Sequence, residues 1–378
     1  MGSVKGGANE AAGALRITIF SGLWPRRGGI PRSTEVLAEA LTHQGHDVAV
    51  VTPSGLGPHD ERNWPYEVLR QPSKHRMIEV ARQSDVVHSQ GLSTVFVLVA
   101  VAGGHRPILT HHLHSAICPA GSAWSPSGVC TAGPRAGPCS ACPRHGAVGR
   151  LDMARWRAGV HLARSNICPS HYLEGRLGLP RSTTIYNPVH PQAFVQQGSL
   201  GPGEHGLVAF AGRPDPVKGL DVLFRALALL PDARLRVMGA DNERPELEEQ
   251  ARSSGVSNRV EFVGTKGIDR VVELYASAAV ACVPSLWQEP FGYAAAEPMA
   301  AGRAVVATPS GALPELLAEG RGFVAAGFTP NDLALALRAA LEDPAGKAET
   351  ENRARSFAKS YFDPDVVAGQ YLEAYRGT

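Results

Sequence analysis

The sequence predicts an α/β protein made of two Rossmann-like, doubly wound domains facing a central cleft. Three observations carry that prediction. The chain has 378 residues, too many for one ordinary core and suited to two domains. Short β-rich runs alternate with amphipathic stretches, the pattern of a parallel sheet covered by helices, and the series starts twice. Between the two series lies a polar segment rich in turn formers, "PQAFVQQGSLGPGEH" from Pro191, of the kind that joins domains.

The elements follow in order. Residues 1–14, "MGSVKGGANEAAGA", read as a disordered tail that lacks the charged-then-apolar order of a secretion signal. The first domain is expected over 15–190. It opens with the buried-strand run "LRITIF" from Leu15, then a helix with Pro31 near its start and Gly45 at its end. "DVAVV", "YEVLR", "DVVHS", "PILTH", "SNICPS" and "TTIYN" continue the strands, with helical stretches such as "RMIEVARQS" between them. The second domain, 191–378, repeats the scheme with "GLVAFAGR", "ARLRVMG", "RVEFVG", "AVACVPS" and "RAVVAT". Its final helix, "VVAGQYLEAYR", either stays with the second domain or packs back on the first. The most apolar run, "VFVLVAVA" from Val95, is too short to span a bilayer, so a cytoplasmic protein without a transmembrane segment is expected.

Charge divides unevenly. Positions 1–190 carry 19 Lys+Arg against 11 Asp+Glu, a net +8, while the remainder carries 18 against 24, a net −6. Thirteen of the fourteen histidines lie in the first part. Either this is compositional drift on a solvated face, or the first half meets something anionic. No nucleic-acid partner is expected.

Two facing domains of this kind bring the C-terminal ends of two parallel sheets and several helix N-termini around one cleft, which suits a phosphorylated ligand. Neither a P-loop nor a full G-x-G-x-x-G occurs; "PRRGG", ending in Gly28 and Gly29, is a glycine pair before the first helix. In "FAGRPDPVKGLDVL" from Phe210, Arg213 and Lys218 fall at a strand's C-terminal edge beside a helix start, where an anion is favoured. A surface ion pair of Lys218 with Asp215 or Asp221 is the competing account. In "LWQEPFGYAAAEPMAAGRAVVAT" from Leu286, Glu289 and Glu297 stand among small and apolar residues. Carboxylates so placed accept hydrogen bonds from paired hydroxyls, as on a sugar or a ribose; a solvated helix-end charge is the alternative for either alone. Pro298 would cost about 3 kcal/mol inside a regular helix, so an irregular turn is expected there.

"GRPDPVKG" and "PSLWQEPFGYAAAEPMAAGRAVVATPSGALPELL" resemble the retaining glycosyltransferases of family 4, which have the two-domain GT-B fold. The E-x7-E pattern with its upstream G-R…K-G is specific, and the similarity spans nearly the whole chain. The resemblance implies hexosyl transfer from a nucleoside-diphosphate sugar, the co-substrate, without a catalytic metal. It implies that Glu289 lies near the donor sugar, Glu297 holds the ribose, and Arg213 and Lys218 bind the diphosphate. The backbone of Phe291 and Gly292 would meet sugar hydroxyls or phosphate, Gly311 would close the phosphate pocket, and Gly28 and Gly29 would face the diphosphate. "ILTHHLHSAICP" aligns His112 with the histidine beside the donor sugar, although Leu113 stands where Asp is usual, which keeps His111 and His114 as substitutes. Asn187 in "IYNPV" would border the cleft on the acceptor side.

Four cysteines, Cys118, Cys130, Cys139 and Cys142, cluster in an insert over 118–146. The terminal C-x-x-C suits a structural zinc site; free thiols, disulfides or an iron–sulfur cluster are the alternatives. The acceptor is expected to be a small molecule, either anionic or phosphorylated or a secondary-metabolite scaffold. A sugar-nucleotide 2-epimerase, a glycan phosphorylase and a non-catalytic nucleotide-sugar-binding module are the competing functions. A phosphorylase needs a pyridoxal lysine and more chain, and a dead module would have lost one of the four charged residues.

Overall fold

The computed structural model describes residues 13–22, 28–55, 63–118, 120–125, 128–130, 149–196, 201, 203–213, 215–239, 241, 243–264 and 267–377. Most of the expected tail, and Cys139 and Cys142 of the expected zinc set, lie outside them.

The strands in chain order are β1 Arg16–Ser21, β2 Asp47–Thr52, β3 Glu67–Arg70, β4 Val86–Gln90, β5 Ile108–Thr110, β6 Trp124–Ser125, β7 Gly128–Val129, β8 Ser165–Cys168 and β9 Ser182–Thr184. These are followed by β10 Glu204–Ala211, β11 Arg234–Met238, β12 Val260–Phe262, β13 Ala278–Val283, β14 Val305–Ala307 and β15 Phe323–Val324. They form a seven-stranded sheet in the order β3-β2-β1-β4-β5-β8-β9 and a six-stranded sheet in the order β12-β11-β10-β13-β14-β15, with β6 and β7 a separate hairpin. Within the two large sheets the pairings are parallel. Both orders are those of a doubly wound fold, and each reverses direction once, between β1 and β4 and between β10 and β13. At such a switch point the connections leave to opposite faces and open a crevice at the strands' carboxyl ends.

Helix Gly29–His43 illustrates the local logic. Its buried positions include Val36, Leu37, Ala40 and Leu41, the i, i+1, i+4, i+5 stripe of one helical face. Leu37, Ala40 and Leu41 of that stripe pack with Ile17, Ile19, Val50 and Ile108 of the first sheet. The last helix, Pro364–Arg376, joins the same cluster through Val367, Tyr371, Leu372 and Tyr375. Its phenols are matched to buried polar groups: Tyr375 Oη lies 2.7 Å from His88 Nδ1, and Tyr371 Oη 3.0 Å from Thr110 Oγ1. The chain therefore ends on the domain in which it began. "VFVLVAVA" forms helix Thr94–Ala102, nine residues long, and no described helix is long and apolar enough to cross a membrane.

Candidate functional site

At the second switch point the path begins with Arg213, exposed just beyond β10. A 3-10 turn, Pro216–Lys218, follows, capped by Asp215 through the Val217 N–H at 3.1 Å. It closes on Gly219 with φ of 71°. A Cβ on Gly219 would collide with the Pro284 carbonyl oxygen, so only glycine lets the turn pass against the loop after β13. That approach sets Lys218 Nζ 2.6 Å from Glu289 Oε1 and 5.0 Å from the centre of the Trp287 ring. Ser285 Oγ donates to the same carboxylate oxygen at 2.8 Å. Glu289 is 6% exposed, and its backbone is fixed from the other side: its carbonyl accepts from Ala312 N at 2.8 Å, and Gly311 lies where any Cβ would strike it.

Eight positions on, Glu297 sits within helix Tyr293–Ala301, only 4% exposed. Its partner comes from the other domain, as Arg32 of helix Gly29–His43 forms an ion pair with it across the cleft. The helix starts at Gly292 with φ of 98°, and its first turn is tight, Ala295 N donating to Gly292 O at 2.9 Å, with Pro298 in its interior. Phe291 is buried among Tyr186, Tyr293 and Phe362. Gly28 caps the facing helix at φ of 146°, and a Cβ on Gly29 would come within 3.3 Å of the Tyr293 ring. Here the backbone of one domain lies against an aromatic side chain of the other.

The first switch point holds a cavity of about 600 Å³, bordered by Gly22 after β1, Gln90 and Gly91 at the end of β4, and His111 and His112 after β5. His112 Nε2 is 2.5 Å from Gln90 Oε1, and His111 Nε2 is 2.9 Å from Asn166 Oδ1. Burial holds both histidines neutral, lowering His111 to about 4 and His112 to about 3, the latter helped by the neighbouring His111. His114 is fully buried, edge-on to Tyr172, its ring nitrogens without a hydrogen-bond partner. Burial, then the Arg176 charge, lowers it to about 4, opposed by the backbone of Gly121 and then by the Glu289 charge. Asn187 is buried, its Oδ1 accepting from Ser33 Oγ at 3.2 Å. Cys118 is buried and Cys130 half-buried, both as free thiols; among the described residues no group of three or more metal-ligating side chains forms.

The two domains also touch through residues that no sequence motif singled out. Ser170 Oγ donates to Pro290 O at 2.5 Å and Tyr172 Oη to Gln288 Oε1 at 2.7 Å. Glu315 accepts from His171 N, Tyr172 N and Tyr186 Oη at 3.0, 2.7 and 2.8 Å. These contacts brace both sides of the Glu289 loop.

Two family models abut on this chain. "Glycosyltransferase Family 4" matches residues 27–193, the sheet with the cavity, and "Glycosyl transferases group 1" matches 193–360, the sheet with the paired glutamates. The chain belongs to the family 4, group 1 glycosyltransferases. Among curated relatives it is 34% identical over 205 residues to a D-inositol 3-phosphate glycosyltransferase of Rhodococcus jostii, covering 51% of this chain and 45% of that one. It is 38% identical over 172 residues to that of Nocardia farcinica, covering 42% and 38%. The matches thus span less than half the length of these relatives. Among solved structures, sucrose-phosphate synthase from Thermosynechococcus elongatus superposes with a TM-score of 0.74 at 21% identity, covering 96% of this chain and 98% of that one. Anabaena Alr3699/HepE in complex with UDP-glucose gives 0.71 at 21% identity, covering 96% and 100%. The fold is GT-B.

Chemically, the second switch point offers two carboxylates, each already neutralised by one cation, with a further arginine exposed at its rim.

Proposed function

We propose that the protein is a retaining glycosyltransferase that moves a sugar from a nucleoside-diphosphate sugar to a hydroxyl of a small-molecule acceptor. The observation that carries this is the pairing of Lys218 with Glu289 beside the backbone-locked turn at Gly311, with Glu297 buried one helix away. In this scheme the diphosphate binds at the mouth of the second sheet, and Lys218 and Arg213 neutralise the charge that grows as it departs. Charge-assisted contacts of this kind are each about 1.5–3 kcal/mol. Glu297 holds the ribose once Arg32 gives way. Glu289, pinned by Lys218 and Ser285, acts as an acceptor for sugar hydroxyls rather than as a nucleophile. The acceptor hydroxyl attacks from the face the diphosphate leaves, and its proton passes to the donor phosphate. No step is assigned to a catalytic metal. A structural zinc on the cysteine insert belongs to the same proposal, supported by the free thiols of Cys118 and Cys130.

The test is kinetic, with donors chosen by which nucleoside diphosphates raise the melting temperature. Lys218→Ala should lower turnover at least about tenfold, the equivalent of roughly 1.4 kcal/mol of transition-state stabilisation. Glu289→Gln should reduce turnover more than nucleoside-diphosphate affinity. Unchanged kinetics in Lys218→Ala would remove the diphosphate assignment, and full turnover of the donor with no acceptor present would point to an epimerase instead.

A further inference from the structure

The cavity at the first switch point differs in chemistry from the cleft across from it. Its walls are largely apolar, with Ile30, Met77, Leu92, Val95, Phe96 and Leu113 lining it. Among the described lining residues there is no lysine, arginine, aspartate or glutamate. Its polar lining is Gln71, Gln90, Ser93, His111, His112 and Ser115, and within it His112 and Gln90 are hydrogen-bonded to each other. As the Gln90 amide is oriented, His112 Nε2–H donates to its carbonyl oxygen, which leaves the lone pair on Nδ1. Gln90 Nε2 is buried and has no partner, a donor whose hydrogen-bonding capacity is unmet and costly to leave so. A volume of about 600 Å³ lies within the roughly 300–1,000 Å³ of small-molecule sites, and apolar walls with a few convergent polar groups are their usual make-up.

We propose that this cavity binds the acceptor, and that the acceptor is an uncharged molecule with an apolar body whose hydroxyl is held by Gln90 and His112. A phosphorylated acceptor would bring a dianion to walls that offer no cation among the described residues, and an ionised group buried without a counter-charge is strongly disfavoured. The two histidines do not supply one, because burial keeps them neutral. Leu113 is the decisive substitution: it places an apolar side chain, 36% exposed, on the cavity wall directly after His112. The basic character of the first half therefore does not reach the described walls of this cavity.

The inference rests on the transferase assignment for the word acceptor, so its test reads binding alone. The full chain is titrated at neutral pH with 2-naphthol, a neutral aromatic alcohol, and separately with myo-inositol 1-phosphate, by calorimetry and saturation-transfer NMR. The expected result is one-site binding of 2-naphthol, tighter than that of inositol phosphate, weakened at least tenfold by Leu113→Asp and by Val95→Asp. Val95 is 45% exposed in the first turn of its helix, where an aspartate is compatible with the helix dipole, so this second variant keeps the fold. Tighter binding of inositol phosphate, no binding of 2-naphthol, or equal 2-naphthol affinity in all three proteins would overturn the proposal. Nucleoside-diphosphate binding is measured in the same samples. Its absence alongside intact, variant-sensitive 2-naphthol binding would sink the transferase assignment and leave the cavity's preference standing.

Discussion

Glu297 is buried in a helix of small residues and balanced by Arg32 from the opposite domain. A carboxylate so placed is costly without its partner, and breaking a buried pair from one side costs up to about 3–5 kcal/mol. Arg32 keeps 35% of its side chain exposed, which screens the pair and brings the expected loss down to about 1–2 kcal/mol. Arg32→Ala should therefore lower the stability of the ligand-free protein by that amount in urea denaturation. In a Glu297→Gln background the same change should cost much less, since the stranded charge is gone; additive losses would mean the pair is not coupled. Lys218, Glu289 and Glu297 stand out in the sequence because they lie in short chain-local patterns, the first two beyond strand ends and the third on the helix that follows. Arg32, Gln90 and Glu315 were not, because their roles arise from contacts between segments more than a hundred residues apart or from a cavity wall. The one hint of Arg32 was its place one turn after the glycine pair.

At the scale of elements, most strands were visible as β-rich runs, while β15, two residues long, and the β6–β7 hairpin left no periodic signal. "VFVLVAVA" is apolar on all sides, so its period was silent, and only the structure shows it as a helix with its N-cap on Ser93. The insert is harder still. Its Gly- and Pro-rich sequence has few apolar residues to order it, so a zinc bound by Cys118, Cys130, Cys139 and Cys142 would have to supply the order. Elemental analysis should find close to one zinc per chain, and Cys142→Ser should raise protease sensitivity between Cys118 and Arg150. Metal-free protein with four freely titrating thiols and a protease-resistant insert would eliminate zinc.

For the molecule as a whole, the first domain's interior carries four neutral histidines. Burial is the first cause in each: His88 and His112 are lowered to about 3, His111 and His114 to about 4, from an ordinary 6.5. Below pH 6.5 the unfolded chain binds protons that the folded chain refuses, so stability is full above that value and falls as the pH drops toward 4. Each histidine contributes at most about 1.4 kcal/mol per pH unit. Melting temperature should fall steeply between pH 6.5 and 5, and His88→Gln should flatten that slope; a melting temperature flat over this range would contradict the burial. The two-domain plan was readable from the repeated strand–helix series. That the last helix returns to the first sheet depends on Tyr371 and Tyr375 finding Thr110 and His88, partners the sequence does not mark.

The most direct test of the central claim is calorimetric titration of the unmodified chain, of Glu297→Gln and of Leu113→Asp with UDP, GDP and ADP. The account predicts that one of these binds the unmodified protein at a single site, and that Glu297→Gln weakens it at least tenfold while Leu113→Asp leaves it within twofold. Binding of none of the three, or equal affinity in the unmodified and Glu297→Gln proteins, would contradict it.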